Sequence, residues 1–336
     1  MILTRTPFRI SFVGGGTDQP SYFELLNNGG AVVSTTIDKY MYVSVKPCFD
    51  GRVRVRYSKM EDVSSVDEVE HDIVKACLKY LSIKRGIEVV TFSDIPSRGC
   101  GLGSSSALTV GLLQSLYAFK GVRIDKQRLA EEACKVETEI LKSPIGYQDQ
   151  FASSYGGLNL LRFQSTGVVR EDLRNTASYD RLKWLEDATM LFYLGEARST
   201  NDILSTFRSD VVANQTWLKN QSGLVPEMLD WLRNGVDDGG HEQIESLVSR
   251  SWEYKKKCSP LASTERIAEL EVRLEQIRFD YRLGFKVCGA GGGGFLLVVA
   301  DPSVQHFVRS KLVEGFGVTE LHFKFDDEGS QIVYKD

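Results

Sequence analysis

The sequence predicts an α+β fold built from two units. Three observations carry this expectation. Apolar, β-branched runs bounded by glycine turns alternate with helical patterns through the first half of the chain. A polar, weakly patterned stretch at 167–187 then precedes a second group of strands and helices. Finally, 336 residues exceed the ~250–300 at which single cores tend to divide. Helices and antiparallel strands segregated into layers make an α+β arrangement.

In the first unit "RISFVGGG" and "AVVSTTIDKYMYVSVKP" read as strands that flank a short helix from Pro20 to a stop at Gly29. Val69, Ile73, Cys77 and Leu81 recur at helical spacing, as do Leu108, Leu112, Leu116 and Phe119, and Leu129, Ala133, Val136 and Ile140. "GIEVVTFSD" and "GGLNLLRF" read as strands, the second closing the unit. The boundary is placed so that the units are 1–175 and 176–336. The second opens with the strand "ATMLFYL" and continues with helical patterns from about Asn201 to Ser251 and from Ser263 to Phe279. It ends with "GFKVCG", "FLLVVA", a helix after Pro302, "TELHFKF" and "QIVYK". No internal repeat or low-complexity segment interrupts it.

Composition excludes several classes. Hydrophobic content of 42%, charged content of 26% and a net charge of -4 give no basic footprint for nucleic acid or an anionic membrane. No apolar run approaches the ~20 residues of a membrane span. "MILTRTPFRISFVGGG" does not read as a signal peptide, because Arg5, Pro7 and Arg9 break its short apolar part. Six scattered cysteines without CxxC and four dispersed histidines suggest no zinc site. Free thiols fit a reducing cytoplasm, the expected location.

The stretch "IPSRGCGLGSSSALTVGLLQSLYAF", Ile95 to Phe119, completes a strand, glycine loop and helix. Glycines let backbone amides approach a ligand, and a helix start leaves amides unpaired with partial positive charge. Such a place suits phosphate. A tight turn with a serine N-cap would need only one glycine and one serine. There is no GxxxxGK[ST]. "GAGGGG" at Gly289–Gly294 fits GxGxxG, but the strand "FLLVV" follows where a dinucleotide site needs a helix. Glu137 lies at i+4 from Ala133, i+3 from Cys134 and four before Leu141, which places it among apolar neighbours. Glu139 sits beside Lys135 and Lys142 on the polar side. A carboxylate on a buried face calls for a cation or donors.

"TPFRISFVGGGTD", "IPSRGCGLGSSSAL" and "KVCGAGGGGFLLVV", in this order and spacing, resemble the three motifs of the GHMP kinases, and the resemblance covers nearly the whole chain. It implies an N-terminal domain like domain 2 of ribosomal protein S5 and a ferredoxin-like C-terminal domain. It also implies ATP-dependent phosphorylation of a hydroxyl. ATP phosphates would lie in the loop Gly99, Gly101, Leu102, Gly103, Ser104, Ser105 and Ser106, with amides as donors. A hydroxyl, Ser105 with Ser106 second, and Glu137 on the following helix would hold Mg2+. Asp149 matches the family aspartate that accepts or orients the acceptor hydroxyl, with Arg9 as the adjacent cation. The alternative for Asp149 is an Asx-turn or cap. Gly15, Gly16 and Asp18 would meet the sugar, although Thr17-Asp18 before Pro20 equally reads as a helix N-cap. Gly291 and Gly292 would shape the site floor.

Within the family, "GGGTD" and "IGYQDQFASSYGG" resemble sugar kinases acting on D-glycero-D-manno-heptose 7-phosphate, which implies phosphorylation of the anomeric hydroxyl. Galactokinases carry an acidic and a basic residue in place of Gly15 and Gly16. A substrate that already bears phosphate needs a second anion site. Arg198 and Lys256 are the expected residues, with Lys255 and Arg98 as further candidates. The alternatives are a kinase for another sugar, of L-fucose or galactose type, and a non-catalytic regulator that binds sugar and ATP. The expected partners are a sugar phosphate and ATP, without nucleic acid or membrane. A homodimer is a compatible assembly.

Overall fold

The computed structural model of the chain describes residues 1–24, 29–96, 99–195, 213–234 and 242–336. Two sheets organise it. The first is seeded by β1 (Ile2–Val13) and β2 (Gly30–Pro47), long apolar strands that pair antiparallel from Ile2 opposite Val45 to Val13 opposite Val33. The short helix α1 (Pro20–Phe23) lies between them. β3 (Val53–Arg56), β4 (Met60–Val63), helix α2 (Asp72–Tyr80) and β5 (Ile87–Ser93) follow. β2 pairs with β5 along Met41–Pro47 and with β6 (Asn159–Gln164) along Gly30–Ser34, so one strand serves two neighbours.

Three helices cover this sheet: α3 (Ser104–Phe119), α4 (Lys126–Cys134) and α5 (Gln148–Tyr155). α3 buries residues on all sides, among them Leu108, Leu112 and Leu116, in one core with Ile10, Val43 and Val89. An all-round apolar helix belongs inside a protein. Its start is therefore fixed, and the glycine loop before it is aimed by the core.

β7 (Gly167–Asp172) pairs antiparallel with β6, and α6 (Tyr179–Ala188) leads into β8 (Thr189–Tyr193). Helices α7 (Gln215–Arg233), α8 (Glu242–Cys258) and α9 (Glu265–Asp280) precede β9 (Leu283–Val287) and β10 (Phe295–Ala300). Last come α10 (Gln305–Arg309), β11 (Thr319–Leu321), β12 (Phe325–Asp326) and β13 (Gln331–Lys335). The second sheet runs β11-β8-β10-β9, all antiparallel. With helices between β8 and β9 and between β10 and β11, this is the ferredoxin-like βαββαβ order. Leu296, Val298, Phe285, Leu270 and Leu274 pack its core.

The structure departs from the sequence reading in four places. The polar, weakly patterned stretch 167–187 supplies β7 and α6, and β7 escapes notice because it is a polar, half-exposed strand. "TELHFKF" splits between sheets, and β12 and β13 return to the first one, where Phe325 faces Ile37 and Tyr334 faces Leu3. A division at 175/176 therefore does not follow the sheets. β3 and β4 are additional strands with no counterpart in the sequence reading. Helix α4 passes into a π-helical turn at Lys135–Ile140, with the Leu141 amide donating to the Val136 carbonyl at 3.0 Å. The wider turn brings half-buried Leu141 against the core and leaves Ile140 46% exposed.

Candidate active site

The three glycine-bearing segments, far apart in sequence, meet between the sheets. Arg9 on β1 donates from Nε to Asp149 Oδ1 and from Nη2 to Asp149 Oδ2, both at 2.8 Å, and from Nη1 to the Gly101 carbonyl at 2.7 Å. Its backbone amide donates to the Leu102 carbonyl at 3.0 Å. Leu102 thus ties the glycine loop to β1, with its side chain in the core. Arg9 is 4% exposed, whereas the Asp149 side chain keeps 21% of its surface. The carboxylate is gripped from behind and open in front. Each of its oxygens still has a lone pair for a hydroxyl.

Gly103, at the N-terminus of α3, has φ +80°, and a Cβ there would come within 3.1 Å of Asp149 Oδ2. Only glycine combines that conformation with so close a neighbour. The glycine loop and the arginine–aspartate pair therefore form one surface.

Asp18 is buried, 3% exposed, and is not a helix cap. Gln19 holds that position without a side-chain cap bond, while Asp18 Oδ1 accepts from the Gly16 amide at 3.0 Å and Oδ2 from the Gln148 amide at 3.3 Å. Burial, and then the charge of Asp149, push its carboxyl above the usual range, against the pull of those amides. A Cβ on Gly146 would fall 1.9 Å from Asp18 Oδ2, so glycine there lets the acid lie against the segment carrying Asp149. Gly15 has open space where a side chain would stand, its nearest neighbour being Ser11 Oγ at 3.9 Å.

Glu137 is 2% exposed and accepts from Gln150 Nε2 at 2.7 Å. Burial pushes its carboxyl up to about 7. The Ser106 hydroxyl and the Gln150 amide oppose the rise, the Asp149 charge adds to it, and the Ser105 hydroxyl opposes it. Ser106 Oγ is buried and completes no hydrogen bond, although it stands near enough to Glu137 to favour its charged form. Ser105 is exposed at the loop surface. Glu139 is exposed as well, so the helical-face argument selects the buried carboxylate. A buried acid beside an unpartnered hydroxyl fits magnesium, a hard cation that takes a few protein oxygens and fills its sphere with phosphate and water.

The second-sheet side of the cleft is cationic. Lys286 on β9 is 3% exposed; its ammonium donates to the Phe12 carbonyl at 3.0 Å and to Ser251 Oγ at 3.4 Å. Lys255 on α8 donates to the Gly289 carbonyl. Part of the Lys255 side chain reaches solvent, yet its ammonium lies deep among protein atoms. Burial and then the Lys286 charge lower it to about 7. Lys256 turns away and pairs with Glu253 and Glu271, both at 2.9 Å. The third glycine segment closes the floor: the Phe295 amide donates to the Cys100 carbonyl at 3.2 Å, and the Gly292 amide to the Ala262 carbonyl at 2.6 Å. Gly291 also packs on Ala262. Arg98 and Arg198 lie outside the described residues.

Sequence reasoning missed Lys286, Gly146 and Gln148. The only signal for Lys286 was a lysine inside the otherwise apolar "GFKVCG". The Gln148 side-chain carbonyl is buried and completes no hydrogen bond beside Asp18.

A mixed sheet joined to a ferredoxin-like one thus presents a glycine loop that opens a buried helix beside an arginine-held aspartate. A model of the GHMP kinases N terminal domain matches residues 72–157. The chain is 30% identical over 371 residues to the L-fucokinase/L-fucose-1-P guanylyltransferase of Bacteroides fragilis, a match that takes in 98% of this chain and 38% of that protein. This chain thus spans well under half of that relative. It is 26% identical over 344 residues to the D-glycero-alpha-D-manno-heptose 7-phosphate kinase of Campylobacter jejuni subsp. jejuni, covering 98% of this chain and 97% of the relative. The solved structure of a D-glycero-D-manno-heptose 1-phosphate kinase from Bacteriodes thetaiotaomicron has the same fold, with a TM-score of 0.73 at 20% identity over 100% of both chains. The chain thus carries a GHMP kinases N terminal domain within its first half. Among the described residues, no helix is long and apolar enough to cross a membrane.

Proposed function

We propose that this GHMP kinase transfers the terminal phosphoryl group of ATP to the anomeric hydroxyl of D-glycero-D-manno-heptose 7-phosphate. The observation that carries the catalytic part is the bidentate Arg9–Asp149 pair at the foot of the phosphate loop. Asp149 orients the acceptor hydroxyl and receives its proton. Arg9 holds the carboxylate in place and lends positive charge to the group in transfer. Phosphoryl transfer through a loose transition state asks chiefly for positioning and charge neutralisation. Amides of Gly101, Gly103 and Ser104–Ser106 hold the ATP phosphates. Glu137, with the Ser106 or Ser105 hydroxyl, would hold Mg2+, which when bound neutralises charge on those phosphates. Asp18, Gly15, Gly16 and Gln148 line the sugar side, and Gly291 and Gly292 the floor. Two domains, 1–175 and 176–336 apart from the returning strands, would divide the phosphate loop from the third motif.

The heptose 7-phosphate assignment draws on the near full-length likeness to the Campylobacter jejuni kinase. A second reading, an L-fucokinase, draws on the higher identity to part of the Bacteroides fragilis protein. A coupled ADP-release assay with heptose 7-phosphate, unphosphorylated heptose, L-fucose and galactose separates them. The heptose 7-phosphate is expected to give the highest kcat/KM. Equal or better turnover of a neutral sugar would overturn that choice.

A further inference from the structure

The cleft holds more positive charge than the catalytic pair uses. Arg9 is matched by Asp149. Lys255 and Lys286 have only carbonyl and hydroxyl acceptors, and among the described residues neither forms an ion pair. Lys286, Cys288, Arg9 and Asp18 act on Lys255; Lys255 in turn acts on Lys286, as do Cys288 and Arg9. Asp18 is the one carboxylate in the set, and its own amide partners already engage both its oxygens. Buried cations are ordinarily paired. Two neighbouring ammoniums, both enclosed by protein atoms, cost stability unless a ligand supplies the missing anion.

Their positions argue against a merely mechanical role. Each ammonium touches the backbone of a glycine segment that lines the site: Phe12 just before Gly14–Gly16, and Gly289 at the start of the third motif. Lys255 as a whole residue is only half-buried, although its ammonium is enclosed. A strut needs one bond and no charge, and a glutamine could supply it.

We propose that the Lys255 ammonium, backed by Lys286, is the seat of a phosphoryl group in the substrate complex, facing Arg9 and Asp149 across the cleft. The proposal rests on the kinase reading. The group is either the terminal phosphoryl of ATP or the phosphate that the acceptor already carries. An ammonium with three donors, one of them given to Gly289, has two for phosphate oxygens. Charge-assisted bonds of this kind are stronger than neutral ones because both partners are ionised.

The test uses the full chain with Lys255→Gln, which keeps a donor for Gly289 but removes the charge, Lys255→Arg, which keeps the charge, and the exposed Lys257→Ala as control. Titration with ADP and with a non-hydrolysable ATP analogue reads the first source. KM for phosphorylated against unphosphorylated sugar reads the second. Loss of one charge-assisted bond predicts a drop of about 10–150-fold. It should fall on the ATP analogue but not ADP, or on the sugar phosphate but not the neutral sugar, with Lys255→Arg restoring most of it. Lys257→Ala should leave every value within threefold. Unchanged affinities in Lys255→Gln, or equal losses for ADP and analogue and for both sugars, would overturn the proposal; a lower melting temperature with intact affinities would reveal a strut. The binding arm needs no turnover. If wild type phosphorylates no sugar yet the analogue-to-ADP ratio still depends on Lys255, the kinase reading fails while the anion seat stands.

Discussion

Replacing Asp149 with asparagine should separate the charge of this residue from its shape. Arg9 is buried, and both Nε and Nη2 donate to the carboxylate at 2.8 Å. Asparagine offers one acceptor, and its amide NH2 then opposes a guanidinium N–H. Removing one partner of a buried ion pair costs about 3–5 kcal/mol. With 21% of the Asp149 side chain exposed, solvent screening puts the variant near the lower end, about 3 kcal/mol. At ~2 °C per kcal/mol for a large chain, the melting temperature should fall by about 6 °C. Turnover should fall more steeply, by about 100–10,000-fold, the scale of a positioned proton acceptor. The ATP KM should change little, because the phosphate loop is untouched. Coupled ADP release and a thermal melt read the two effects. The double variant Arg9→Met/Asp149→Leu removes both charges, so its stability should recover while its activity does not. A kcat for Asp149→Asn within tenfold of wild type would remove Asp149 from the proposed role.

Glu137→Gln should raise the magnesium concentration for half-maximal rate by at least the ~10–100-fold that losing a supporting metal partner costs, while Glu139→Gln is nearly silent. Equal effects in a magnesium titration of the two would refute the assignment. Lys286→Met should lose activity yet gain stability near neutral pH. Burial lowers the wild-type ammonium to about 8 from the usual 10.5, so the folded state binds fewer protons than the unfolded state between these values. Its penalty is therefore full below pH 8 and fades as pH rises toward 10.5. The melting-temperature advantage of the variant should shrink between pH 7.5 and 10, and an advantage that grows with pH would contradict the sign.

Much of this arrangement was legible because its signals are local. β1, β2 and α3 declare themselves by period, and Glu137 stands out as an acid among apolar neighbours. What remained hidden depends on pairing across the chain. β7, an edge strand of sequence GVVRED, gives no period-two signal because half of it is charged and none of it is fully buried. β12 and β13 belong to the first sheet only through partners some 290 to 330 positions away. Lys255 and Lys256 illustrate the same limit at a finer scale. Adjacent helical residues point about 100° apart. One enters the cleft and the other meets Glu271, a residue on α9 whose position no local pattern reveals. Asp18 could be a cap or a ligand in sequence. The distinction came from the Gln148 amide, 130 positions away.

The site also explains why its residues come from both sheets. Lys286 and Gly289 are carried by the second sheet and its β9–β10 turn; Arg9, Phe12 and the phosphate loop belong to the first. The bonds Lys286–Phe12 and Phe295–Cys100 join them through backbone carbonyls. Carbonyl acceptors hold an ammonium in place without neutralising it. A fold selected for stability alone would set a carboxylate beside Lys286 and remove the cost of a bare buried charge. Placing carbonyls there instead leaves the positive potential directed into the cleft, where a phosphorylated ligand can use it. The same residues that make the cleft attractive to phosphate thus make the empty protein less stable, as expected where binding function is built from strained electrostatics rather than from packing.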